Sequence, residues 1–208
     1  MVDSQVRPNK VTDLAVLDAM LAMPREIFVP EQLHRVAYID EDVPVGGGRF
    51  LIEPMVFGRL LQIAAIGPED TVLDIGCGTG YAAAVMSRLA RSVVALDDDG
   101  AMVQRAGAAF RQLGLTNVAV VEGPLAQGYP QRGPYHVITF GGAVASVPPA
   151  ISGQLAEGGR LLAVIKPEAG MGKAVLMTRR DGVLAQRVMF DAGTPLLPGF
   201  AAEPEFVF

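Results

Sequence analysis

The chain has no tryptophan, one cysteine and two histidines among its 208 residues. A single cysteine rules out an internal disulfide framework and fits a reducing compartment. His34 and His136 lie far apart and form no His-x-x-x-His pair, so no metal site is expected. Charge is sparse as well: 19% of residues are Asp, Glu, Lys or Arg, the net charge is -5, and the arginines are scattered. That balance leaves no electrostatic footprint for nucleic acid. No apolar run approaches the roughly 18 residues of a membrane span, and the opening MVDSQVRPNK lacks the apolar centre of a secretory signal. The expectation is a cytoplasmic protein without membrane or nucleic-acid partners.

Apolar residues, at 50%, are abundant enough for a full-sized core, and 24 glycines punctuate them. Residues 1–10 read as a polar arm. Leu14, Leu17 and Leu21 then fall at helical spacing, with Thr12 as N-cap and Pro24 as the stop. PREIFVP reads as an extended connector, and AYIDEDVPVGGGRFL as a loop too glycine-rich for regular structure. EPMVFGRLLQIAAIGP is a helix with Pro54 in its first turn and Val56, Leu60, Ile63 and Ala64 on one face. From Thr71 onward, short apolar strands alternate with helices, the pattern of parallel βαβ units. AVLMTRRDGVLAQRVMF then reads as a hairpin turning at Asp181-Gly182. The expected architecture is a Rossmann-like α/β fold: a mostly parallel sheet, helices on both faces, and a C-terminal antiparallel hairpin. It forms one domain, with residues 1–67 a helical and substrate-loop region and 68–208 the cofactor-binding core.

The chemistry concentrates in VLDIGCGTGY, Val72 to Tyr81, where a strand turns through Gly76, Gly78 and Gly80 into a helix. Glycines there let the backbone approach a ligand, with unpaired helix amides facing it. The phosphate loop of nucleotide triphosphatases requires a lysine and serine or threonine that are missing here; the dinucleotide fingerprint spaces its glycines differently, which leaves a pyrophosphate ligand the weaker reading. Asp97 ends the next strand, 21 positions after Gly76, where an acid accepts hydrogen bonds from ribose hydroxyls. Asp98 and Asp99 read as a solvated turn and helix cap, with Asp98 kept among the cofactor-facing candidates. Cys77 reads as a small residue packed inside the loop. Tyr81 fits ligand cover and core packing about equally.

VLDIGCGTG resembles the acidic, glycine-rich signature of class I methyltransferases that use S-adenosylmethionine. The stretches from VLDAMLAMPREIFVPEQLHRVAYIDEDVPVGGG to EPMVFGRLLQ, and PYHVITFGGAVASVPPAISGQLAEGGRLLAVI, are similar to the protein-L-isoaspartate O-methyltransferase family. The resemblance implies S-adenosylmethionine or S-adenosylhomocysteine as cofactor, with Asp74 at its amino-acid end and Gly76, Cys77, Gly78, Gly80, Tyr81 and Asp97 around it. It implies a protein or peptide substrate carrying an isoaspartyl carboxylate. Two departures stand out. Ile52 occupies the position of the family's catalytic serine and cannot donate a hydrogen bond. Pro124 replaces the family's adenine-side acid, which turns attention to Glu122 and Gly123. Arg49 is the remaining cation of the loop, and a bidentate grip on the substrate carboxylate is expected of it. A changed acceptor, or cofactor binding without turnover, stands as the alternative.

Overall fold

The computed structural model describes residues 1–168 and 170–201. In chain order the elements that matter here are α1 (Leu14–Ala22), β1 (Val43–Gly46), β2 (Arg49–Leu51), α2 (Pro54–Ala64), β3 (Thr71–Ile75), α3 (Tyr81–Met86), β4 (Ser92–Asp97), α4 (Gly100–Gln112), β5 (Val118–Glu122), β6 (Tyr135–Phe140), β7 (Ala143–Val144), α5 (Pro149–Ser152), β8 (Leu155–Ile165), β9 (Gly172–Arg180) and β10 (Val183–Ala192).

The main sheet runs β10-β9-β8-β6-β3-β4-β5, and β7 pairs beside the end of β8. Strands β5, β4, β3, β6 and β8 are parallel, β9 is antiparallel to β8, and β10 is antiparallel to β9. The hairpin turns at Asp181 and Gly182, both at positive φ, the backbone that matches the twist of two antiparallel strands. Successive strand residues serve opposite faces. Val72, Val93, Ala95 and Val137 pack with α1 to α4, while Leu73, Ile75, Val94, Leu96 and Ile138 face the other way. That second face is covered by four-residue α5 and by a C-terminal segment carrying Leu197 and Phe200. Because the chain leaves β5 and re-enters the sheet on the far side of β3, the order reverses between β3 and β6. Ligands of open α/β sheets bind beyond the strand ends at such a point.

Several local readings are corrected. The first residues are not an arm: Val2 and Val6 are buried in a helical turn against α1 and α2. Gly58 supplies the room, since a methyl group there would lie 2.8 Å from Val6 Cγ1. The cap of α1 is Asp13, whose Oδ1 accepts from the amides of Ala15 and Val16; Thr12 is instead held by Gln62. Leu14 and Leu21 are exposed, and α1 buries Val16, Leu17, Ala19 and Met20. Arg25–Phe28 is a 3₁₀ turn where an extended connector was expected. The glycine-rich loop is a two-stranded sheet, β1 with β2, because three consecutive glycines at positive φ, Gly46 to Gly48, make its tight reversal.

Since Val6 is fully buried, Val6→Ala is expected to lower the unfolding free energy by about 2 kcal/mol, the worth of the lost methyl groups and the void they leave. Chemical denaturation measures this; a disordered arm would give no change.

Candidate functional site

The site forms where β3 hands over to α3. Gly76, Gly78 and Gly80 all have positive φ, so a side chain at any of them would be strained. The amides of Gly76 and Cys77 donate to Leu96 O, fastening the loop to β4. Gly141, just after β6, comes so close that a methyl group on it would collide with Gly76 O.

Asp97 is fully buried at the end of β4. Its Oδ2 accepts from Arg49 Nε at 3.2 Å and from the Gly78 amide at 2.8 Å. Its Oδ1 accepts from Arg49 Nη2 at 3.0 Å and from the Asp99 amide at 3.1 Å. A carboxylate has about four lone-pair sites, so Asp97 is saturated by its own chain. Arg49 is itself 3% exposed, and its Nη2 also donates to Asp98 Oδ1, while Nη1 donates to Gly47 O. In this arrangement the Arg49 guanidinium, expected to grip a substrate carboxylate, is paired with Asp97 and Asp98. Asp98 is exposed, and Asp99 caps α4 through the amides of Ala101 and Met102.

Asp74 lies on the helical side of β3, 1% exposed. Thr139 Oγ1 donates to its Oδ1 at 3.1 Å, whereas Oδ2 has no partner among the described residues. Burial pushes the carboxyl up to about 7, opposed by the Thr139 hydrogen bond and reinforced by the charge of Asp97. Cys77 is buried, and burial raises its thiol well above the ordinary range, so it stays protonated and inert. Tyr81 is a core residue here: its ring stacks edge-on against Phe28 at 5.5 Å, tilts against Phe57, and lies under the Arg25 guanidinium. Ile52, 8% exposed, offers its carbonyl to Arg25 Nη2 and its side chain to two small voids. Glu122 and Gly123 stand beside Asp97 at the same sheet end, Glu122 exposed against Gly100 and Gly123 donating to Asp97 O.

The sequence reading missed Leu197 and Pro198. The segment after β10 folds back across the site: Ala143 donates to Pro195 O, and Leu197 donates to Ala143 O. A methyl group on Gly76 would fall 2.6 Å from Leu197 Cδ1, and one on Gly48 would fall 2.8 Å from Pro198 Cγ. The turn of GTPLLPG, with two prolines, is the signal that marked a shaped segment there.

These facts test the fit of S-adenosylmethionine. The positive-φ glycines and the unpartnered Asp74 Oδ2 suit it. The rest does not: Asp97 has no acceptor left for a ribose, Leu197 fills the hollow over Gly76, and the voids beside the loop measure about 20 Å³ each. Each has room for about one water. In this arrangement the residues do not accommodate the cofactor. Among the described residues no group of three or more His, Cys, Asp or Glu is placed to hold a metal ion, and no helix is long and apolar enough to cross a membrane.

The raised Asp74 carboxyl gives a pH signature. The folded chain keeps the Asp74 proton up to about pH 7, while the unfolded chain releases it in the ordinary aspartate range. The folded state thus binds more protons across that window, and stability falls as pH rises through it, by on the order of 1.4 kcal/mol per unit at most. Asp74→Asn is expected to remove this slope, so that thermal unfolding midpoints of variant and parent diverge between pH 5 and 7. Parallel profiles would refute the assignment.

A family model, protein-L-isoaspartate(D-aspartate) O-methyltransferase, matches residues 1–192. The chain is 36% identical over 192 residues to the protein-L-isoaspartate O-methyltransferase of Koribacter versatilis, covering 92% of this chain and 85% of that one. It is 38% identical over 198 residues to the protein of that name from Azorhizobium caulinodans, covering 95% and 91%. A solved protein-L-isoaspartate O-methyltransferase superposes with a TM-score of 0.81 at 28% identity over 93% of this chain, which spans 63% of that structure's length. A Plasmodium falciparum structure described with the same activity, in complex with S-adenosyl-L-homocysteine, shares the fold with a TM-score of 0.78 at 20% identity over 91% and 93% of the two chains. The match spans the helical N-terminal part and the sheet alike, and the chain belongs to the protein-L-isoaspartate O-methyltransferase family.

Proposed function

We propose that the chain is an S-adenosylmethionine-dependent methyltransferase that esterifies the carboxylate of isoaspartyl residues in proteins. The observation that carries this reading is the family match over residues 1–192, which includes the glycine loop and the buried acid ending β4. It favours the family reaction over a changed acceptor or binding without turnover. The donor supplies a methyl group on a positively charged sulfur; the other requirements fall to the protein. A carboxylate is already nucleophilic at neutral pH, so the chain has to position it and exclude water rather than provide a strong base.

In this reading Asp97, once Arg49 has withdrawn from it, receives the ribose, and Asp74 the amino-acid end of the donor. Gly76, Cys77, Gly78 and Gly80 form the cradle, and Glu122 and Gly123 border the adenine. Phe50 and Ile52, lining the void beside Gly76 and Cys77, form the wall toward the acceptor. That wall has no hydroxyl at residue 52, so the acceptor carboxylate meets apolar groups, and burying it there is costly. The partner is a protein or peptide with an isoaspartyl carboxylate, not nucleic acid, and the compartment is the cytoplasm. The single cysteine and net charge of -5 support both points. Residues 1–67 serve as helical and substrate-loop region of one domain whose core is 68–208.

The test is transfer of labelled methyl groups to an isoaspartyl peptide and to its aspartyl control. Label is expected on the isoaspartyl peptide alone, at a rate below the 1 per second or so common among enzymes. Ile52→Ser is expected to raise that rate. Equal labelling of both peptides, or of neither by parent and variant, would end the proposal.

A further inference from the structure

We propose that Arg49 and Leu197 form a latch that competes with the methyl donor, so that donor binding and latch closure exclude one another. The inference rests on the donor-binding reading above. Its ground is the occupancy of both halves of the site by residues of the chain. Arg49 takes two of the four acceptor positions of Asp97, in the bidentate geometry that two ribose hydroxyls would otherwise use. Leu197 lies over Gly76, where the loop is bare of side chains. The two come from distant parts of the chain: Arg49 from β2, 48 positions before Asp97, and Leu197 from the segment after β10.

The surroundings allow release. Arg49 Nη2 bridges buried Asp97 and half-exposed Asp98, so the guanidinium has an outer partner to retain when it leaves the inner one. Immediately before Arg49 stand Gly46, Gly47 and Gly48, at φ +101°, +58° and +69°. Three such residues absorb backbone rotation more readily than any others. Pro198 rests on Gly48, which joins the two arms of the latch: swinging the β1–β2 reversal outward also unseats the C-terminal segment. Since β2 leads into the wall that meets the acceptor, a polypeptide docking there acts on the element that carries Arg49. Donor affinity and acceptor binding are thereby coupled.

A closed latch lowers the apparent donor affinity by the fraction of molecules that are open. Calorimetric titration with S-adenosylhomocysteine compares the parent with Arg49→Lys and Leu197→Ala. The lysine keeps a charge beside Asp97, so the buried acid is not stranded, but it lacks the planar fork. Each variant is expected to bind at least about tenfold more tightly than the parent. Binding by Arg49→Lys that is equal to or weaker than the parent's overturns the latch and leaves donor binding standing. No binding by parent or either variant overturns the donor reading and the latch with it. In the parent, the Arg49 Nε–H is expected to exchange with solvent faster at saturating S-adenosylhomocysteine. Protection that persists at saturation also overturns the latch.

Discussion

A buried carboxylate with no water to turn to dictates how this molecule is assembled around its sheet. Asp97 sits at the end of β4, fully enclosed, and removing such a charge from water costs several kcal/mol even after relaxation. The cost is offset only if each lone pair is met. Two backbone amides, of Gly78 and Asp99, are provided by the chain running through positive φ on one side and into a helix cap on the other. The guanidinium of Arg49 completes the set and draws the β1–β2 pair onto the sheet. Arg105, from α4, then fixes the same pair through Val45 O at 2.7 Å.

That arrangement explains why a loop built to approach a ligand instead approaches its own chain. Glycines remove side chains, and the hollow they leave is filled by the best group within reach. Leu197 fills one part by hydrophobic burial, held by the ladder between residues 143–145 and 195–200. Arg49 fills the other by charge. On the proposed reading, a reaction that needs the hollow competes with contacts that already stabilise the fold.

Much of this was legible in the residues. Strand and helix alternation from Thr71, the hairpin at Asp181-Gly182 and the glycine loop with Asp97 after the next strand are all local patterns, and each appears where the pattern places it. The failures were of two kinds. Leu14 and Leu21 keep helical spacing but face solvent, because the side of α1 that is buried is chosen by α2 and the first turn, not by α1. Val2 and Val6 lie in a polar-looking segment, and their burial depends on the room at Gly58, more than fifty residues on.

The sequence by itself determined the class of the fold and, through its likeness to a known family, the type of chemistry; the glycine-rich turn between strand and helix marked the candidate site. Only the tertiary structure decided what Arg49 does. Read in its loop, it is a free cation next to an acceptor; in the fold it is the counterion of Asp97. Nothing within a few residues of Arg49 reveals that pairing, because the demand comes from a carboxylate buried on another element, and a buried charge takes the nearest partner that can satisfy it. Leu197 follows the same rule for apolar surface: its role is set by the hollow at Gly76, which exists only once the strands are side by side.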